Sequence, residues 1–120
     1  MVLHTQVLRV QGLYYVLTGV WPLVHLRSFE AVTGPKTDDW LVHMVGLLVV
    51  VIGATLLVAA RPRQGRREVL VLAVGSAIAF TMIDVWYVVA GTISRVYLAD
   101  AGVEVGLIIL LVLTHRAPSP

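Results

Sequence analysis

The chain contains no cysteine, which excludes disulfides, thiolate metal sites, iron–sulfur ligation and the paired-cysteine redox chemistry that some four-span membrane enzymes use. It contains no asparagine either, so it carries no N-glycosylation sequon. Charge is scarce: Asp, Glu, Lys and Arg make up 13% of the residues, about half the share of an average soluble domain. The formal net charge of +2 comes mostly from one short arginine-rich segment. We read that excess as a signal of membrane orientation, and no nucleic-acid partner is expected.

What the chain has in abundance is long uncharged runs, with 58% of its 120 residues hydrophobic. Val10 to Leu26 carries no charge and is bracketed by Arg9 and Arg27, which predicts a first span over about 8–26. A cleaved signal peptide would need a basic start, a shorter apolar core and a small-residue cleavage site, and Ser28 to Ala31 offers none. Trp40 to Ala60 has no Asp, Glu, Lys or Arg and, as a helix, would measure about 30 Å, the thickness of a bilayer core. Arg61-Pro62-Arg63-Gln64-Gly65-Arg66-Arg67 breaks the pattern and cannot sit in lipid. A third span is expected over 69–91, interrupted only by Asp84, and a fourth over 96–113.

The predicted fold class is therefore all-α: an integral membrane four-helix bundle, with residues 1–120 as a single transmembrane domain. Val20-Trp21 is echoed by Val85-Trp86, and Val45-Gly46-Leu47-Leu48 by Val105-Gly106-Leu107-Ile108. These echoes suggest two similar helical hairpins. Because short cytoplasmic loops collect Arg and Lys, the arginine link between spans 2 and 3 should face the cytoplasm of a cell's inner (plasma) membrane, which puts both termini there as well.

Charged groups within a bilayer are costly and mark either function or a paired structural contact. Asp84 lies about 10 Å below the outer end of span 3 by helical rise. Asp100 and Glu104 open span 4 with the i, i+4 spacing that sets both carboxylates on one face. His25 ends span 1, His43 lies one turn into span 2 and Arg95 precedes span 4. All six fall in the outer half of the membrane, and they form a candidate polar pocket. A plainer reading has Asp84 pair with Arg95 while the others sit at the headgroups.

Span 4 also carries Gly102 and Gly106, a GxxxG pattern that lets another helix approach closely. These glycines lie far around the helix from Asp100 and Glu104. Gly75 and Ala79 form a smaller stripe on span 3. We take all four as candidate helix-packing positions, facing either this bundle or another subunit.

In the outer connection, Phe29 and Val32 are expected to fix a short interfacial turn, Gly34-Pro35 to reverse the chain, and Thr37 or Asp38 to cap span 2. Gly34-Pro35-Lys36-Thr37 is not a phosphate loop, since the upstream glycine and the Gly-Lys pair are missing. Trp21, Trp40, Trp86, Tyr87 and Tyr97 fall near the outer interface as an anchoring belt. Pro22 should kink span 1 and free a backbone carbonyl near its end. Trp21-Pro22, Ser28-Phe29-Glu30, Thr33-Gly34-Pro35-Lys36 and Asp39-Trp40-Leu41, followed by a glycine-punctuated apolar helix, resemble a family of uncharacterised small bacterial four-span membrane proteins. The resemblance covers mainly the first half of the chain. It implies a helical membrane protein and no activity or catalytic residues.

Three functions compete. The economy of charge points first to an oligomeric or accessory membrane subunit without catalytic activity, partnered by the lipid bilayer and by its own copies or another membrane protein. The alternative is a proton-linked small-molecule carrier or channel that uses Asp84 and Glu104. A third reading has His25 and His43 ligate haem, or a divalent metal together with Glu104 or Asp84. No HExxH pattern or nucleophile elbow supports an enzyme, and no cofactor is predicted.

Overall fold

The computed structural model describes residues 2–34, 39–60 and 67–115. They form five α-helices: α1 (Val2–Val24), α2 (Leu26–Thr33), α3 (Asp39–Ala59), α4 (Arg67–Val89) and α5 (Val96–His115). All but α2 have 20 to 23 residues, or about 30–35 Å of helix, enough to cross a bilayer. Their composition is apolar enough to do so. The protein is thus an all-α bundle of four membrane-spanning helices.

The distribution of side chains is that of a protein solvated by lipid. Val24, Val58, Val71, Met82, Val89 and Leu113 point outward, while His4, Thr5, Gln11, Asp84, Glu104 and Thr114 are buried. Apolar side chains on the outside gain nothing from leaving hydrocarbon, so the helices are held by close packing and by internal hydrogen bonds.

Close packing is concentrated between α1 and α3. Gly12 and Gly19 on α1 stand seven residues apart, as do Gly46 and Gly53 on α3, and the two pairs interlock in antiparallel register. A Cβ at Gly19 would lie 2.6 Å from the Gly46 carbonyl oxygen, and one at Gly53 would lie 2.6 Å from that of Gly12. Only hydrogen at these positions lets the backbones touch. No such seam joins α4 and α5. A Cβ at Gly75, Gly102 or Gly106 would meet nothing within 4 Å, and Ala79 is exposed. The candidate packing positions of spans 3 and 4 thus face outward from this bundle.

The ends of the helices have local causes. α1 begins at Val2, several residues before the expected start of span 1, because His4 Nδ1 meets Thr114 Oγ1 at 2.7 Å and ties its first turn to the end of α5. Pro22 lies inside the last turn of α1, where it cannot donate to Thr18 and leaves that carbonyl unbonded by the helix ladder. The next residues form a helix where the sequence suggested a turn. His25 Nδ1 accepts from the Ser28 N–H at 3.2 Å, which is N-capping by an imidazole, and α2 is amphipathic enough to lie at an interface. α4 ends in a Schellman motif: Gly91, at φ 77°, donates to Val88 O at 3.0 Å and Thr92 donates to Tyr87 O at 2.9 Å. The Pro35 half of the chain reversal, the cap from Thr37 or Asp38, the arginine link at 61–66 and the residues 116–120 lie outside the described residues.

At the end of the bundle where α1 and α5 are tied, the core is apolar and full. Leu8, Leu56 and Leu111 are wholly buried, with Val7, Ala60 and Leu107 against them. At the other end, beneath α2, the bundle is hollow.

Candidate functional site

The hollow has a volume of about 460 Å³ and is lined by residues of all five helices. α1 contributes Tyr14, Tyr15, Thr18 and Gly19; α3 contributes Val42, Val45, Gly46 and Val49; α4 contributes Phe80 and Asp84; α5 contributes Asp100, Val103 and Glu104. The glycine seam draws α1 against α3, and α3 and α5 stand across the bundle from each other with the hollow between them. α2 covers one end. Trp21 Nε1 donates to Ser28 Oγ at 2.9 Å, the Trp21 and Phe29 rings pack edge to face at 5.3 Å, and Phe29 and Thr33 border the hollow.

One wall is acidic. Asp100 and Glu104 sit one turn apart on the same face of α5, as their spacing predicts, and Asp84 of α4 joins them. The Asp100 carboxyl lies close to both Asp84 and Glu104. An ionised carboxylate only accepts, so a hydrogen bond between two carboxyls requires a proton on one of them.

Two tyrosines of α1 hold this wall in place. Tyr14 donates its hydroxyl proton to Asp100 Oδ1 at 2.5 Å, and Tyr15 donates to Glu104 Oε1 at 2.7 Å. Tyr15 is itself positioned by Gln11, whose Nε2 donates to the Tyr15 hydroxyl at 3.2 Å and to the Ala73 carbonyl of α4 at 2.8 Å. The edge of Phe80 packs against the Tyr15 ring at 5.4 Å. A polar chain thus runs from α4 through α1 to α5 and fixes the depth of Glu104, which is only 1% exposed. Thr18 plays no part in it, since its hydroxyl bonds back to the Tyr14 carbonyl of its own helix at 2.8 Å.

Asp84 differs from its neighbours. It is 4% exposed, it borders the hollow, and no donor among the described residues reaches its Oδ2. A buried polar atom without a partner costs about 1–3 kcal/mol, and a site that binds something is one reason for a protein to keep it. Nor, among the described residues, does any Lys, Arg or His line the hollow to compensate three carboxyls.

The six polar residues expected in one layer therefore divide. Asp84, Asp100 and Glu104 converge. Arg95 is exposed and lies off the cavity, so it is not the partner of Asp84; His25 is exposed and caps α2; His43 is half-buried on α3 and also lies off the cavity. Among the described residues no group of three or more His, Asp or Glu is arranged to hold a metal ion, and the histidines that a haem or metal reading requires do not face the carboxyls.

Sequence reasoning passed over Gln11, Tyr14 and Tyr15, which organise the site from span 1. A signal was available: His4, Gln11, Tyr15 and Thr18 follow one another at intervals of seven, four and three residues, a polar stripe along one face of an otherwise apolar helix. The seven-residue spacing of the glycines on α1 and α3 was equally legible. No family model matches the chain, and neither a curated protein nor a solved structure matches it.

Proposed function

We propose that this chain is a proton-linked small-molecule carrier whose working groups are Asp84, Asp100 and Glu104. The observation that carries the reading is Asp84: a buried carboxyl that borders a cavity and adjoins two more carboxyls, with no donor to one of its oxygens and no cation in the lining among the described residues. Carboxyls joined by shared protons release those protons when a ligand takes their place, and that exchange is the elementary step of proton coupling. Tyr14 and Tyr15 hold the cluster in register and supply hydrogen bonds as protons leave.

The reading also supposes a cell inner membrane with both termini cytoplasmic, so that the cavity opens in the outer half. The test is made in proteoliposomes with an entrapped pH dye, challenged with a panel of small cations, zwitterions and anions. At least one solute should drive proton movement with the wild-type protein, and none should do so with the Asp84→Asn, Glu104→Gln double variant. Proton movement that needs no solute, or that survives both substitutions, overturns the proposal.

A second reading, an oligomeric or accessory membrane subunit, is favoured by a different observation: Gly102 and Gly106 present open space on the outer face of α5. On this reading the glycines receive a helix from another copy or another membrane protein. Native mass spectrometry from nanodiscs gives a defined assembly that Gly102→Leu abolishes. An assembly state indifferent to that substitution removes this reading.

A further inference from the structure

Three features of the cavity select one kind of ligand. Among the described residues its only charged lining groups are acidic, Asp84 on α4 and Asp100 and Glu104 on α5, with neutral Tyr14 and Tyr15 of α1 and Tyr97 of α5 beside them and no described titratable group from α2 or α3. The Asp84 carboxyl borders the cavity, and its buried Oδ2 atom has no donor among the described residues, so the cluster holds acceptor capacity that its own donors do not fill. A bare metal ion does not suit the rest of the cavity, most of whose surface is aliphatic or aromatic. Its volume of about 460 Å³ matches sites that bury drug-sized organic molecules, about 300–1,000 Å³.

The opening points the same way. Leu41 and Val45 of α3 and Val96 and Val103 of α5 border the cavity and are exposed. The cavity is open rather than enclosed, and in a membrane an opening bordered by these apolar side chains is a doorway to lipid. A ligand that arrives through hydrocarbon and ends against carboxyls must carry both an apolar body and a cationic centre. The rings of Tyr14, Phe80 and Tyr97 line its path and present π faces or edges to such a body.

We infer that the cavity binds an amphipathic organic cation, an ammonium or phosphonium centre carrying apolar or aromatic groups, admitted from the bilayer through the opening that Leu41, Val45, Val96 and Val103 border. The inference rests on the carboxyl cluster being the working site and adds the ligand class and the route. On binding, the cation's charge replaces that of a shared carboxyl proton, which passes to solvent. A neutral lipophile lacks the charge to displace that proton, and an anion is repelled by the wall.

The experiment uses a pair of probes nearly identical in shape and opposite in charge, tetraphenylphosphonium and tetraphenylborate, with triphenylphosphine oxide as the neutral control. Equilibrium binding to the purified full-length protein in nanodiscs is corrected for partition into empty nanodiscs. The expected result is saturable binding of tetraphenylphosphonium, one per chain, at least tenfold tighter than either other probe. Asp84→Asn and Glu104→Gln should each weaken it about tenfold or more, while Arg95→Gln should not change it. Circular dichroism and the melting midpoint of each variant establish that it is folded.

Binding of the borate or the phosphine oxide as tightly as the phosphonium, still lost in the carboxyl variants, overturns the cation assignment and leaves the proton-linked site standing. Phosphonium binding unaffected by both carboxyl substitutions in folded protein overturns the site itself. Bulk at the doorway gives an independent check on the route: Val45→Trp should slow phosphonium binding several-fold without altering the fold, and an unchanged rate would place the entrance elsewhere.

Discussion

Replacing Gly12 or Gly53 by alanine tests the packing that creates the cavity. A methyl at Gly12 would stand 2.8 Å from the Gly53 carbonyl oxygen and 2.9 Å from Leu57 Cγ. At Gly53 it would stand 2.6 Å from the Gly12 carbonyl oxygen and 2.8 Å from the Val16 backbone nitrogen. Ordinary contact begins at 3.4 Å, and backbone atoms cannot rotate away, so α1 and α3 must part by roughly half an ångström to an ångström. Overpacking of this kind costs about 1–3 kcal/mol. The two methyls contend for one gap, so once the helices have separated for the first, the second costs little, and the double variant should fall short of the sum by about 0.5–3 kcal/mol. Gly12→Ala with Gly19→Ala should add more nearly, because those sites lie two turns, about 10 Å, apart. The assay is unfolding in mixed micelles by SDS titration, followed by circular dichroism. Gly102→Ala and Gly75→Ala, which meet nothing within 4 Å, serve as controls and should leave stability unchanged. A Gly12→Ala variant as stable as Gly102→Ala would refute the seam.

Further outcomes follow from the polar contacts. Tyr15→Phe removes the donor to Glu104 Oε1 and leaves a buried acceptor short of a partner, so the same titration should show a loss of about 1–3 kcal/mol. Thr114→Val breaks the His4 contact between α1 and α5 and should cost about 1 kcal/mol without affecting ligand binding, since that pair lies at the other end of the bundle. Asp84→Asn keeps the shape and removes a costly group, so it should leave the melting midpoint equal or higher while ligand binding is lost. A clear fall in stability would instead make Asp84 a structural residue.

The spans were readable because a bilayer imposes a simple rule, long uncharged runs bounded by arginine or by chain breakers, and Asp39–Ala59 and Arg67–Val89 depart from the expected bounds by only one or two residues. The convergence of Asp100 and Glu104 was readable from their spacing, and their approach to Asp84 from a shared depth. Depth says nothing of direction around a helix, however. That is why Arg95, His25 and His43, at a similar depth, were grouped with the carboxyls, although two of them face outward and none reaches the cavity. The tyrosines escaped notice for a related reason. Tyr14 and Tyr15 look like ordinary apolar filling until a partner helix brings Asp100 and Glu104 to their hydroxyls. GxxxG drew attention to Gly102 and Gly106, yet the interlocked glycines have seven-residue spacing, which keeps two antiparallel helices in contact over two full turns.

The central claim, that Asp84, Asp100 and Glu104 exchange protons for a cation, is tested most directly by isothermal titration of tetraphenylphosphonium into the protein in nanodiscs, in two buffers of different ionisation enthalpy. The difference in heat counts the protons released for each cation bound. The account predicts release of about one proton per cation by the wild-type protein and none by the Asp84→Asn, Glu104→Gln variant. Binding that liberates no proton, or that liberates the same number from the neutralised variant, would contradict it.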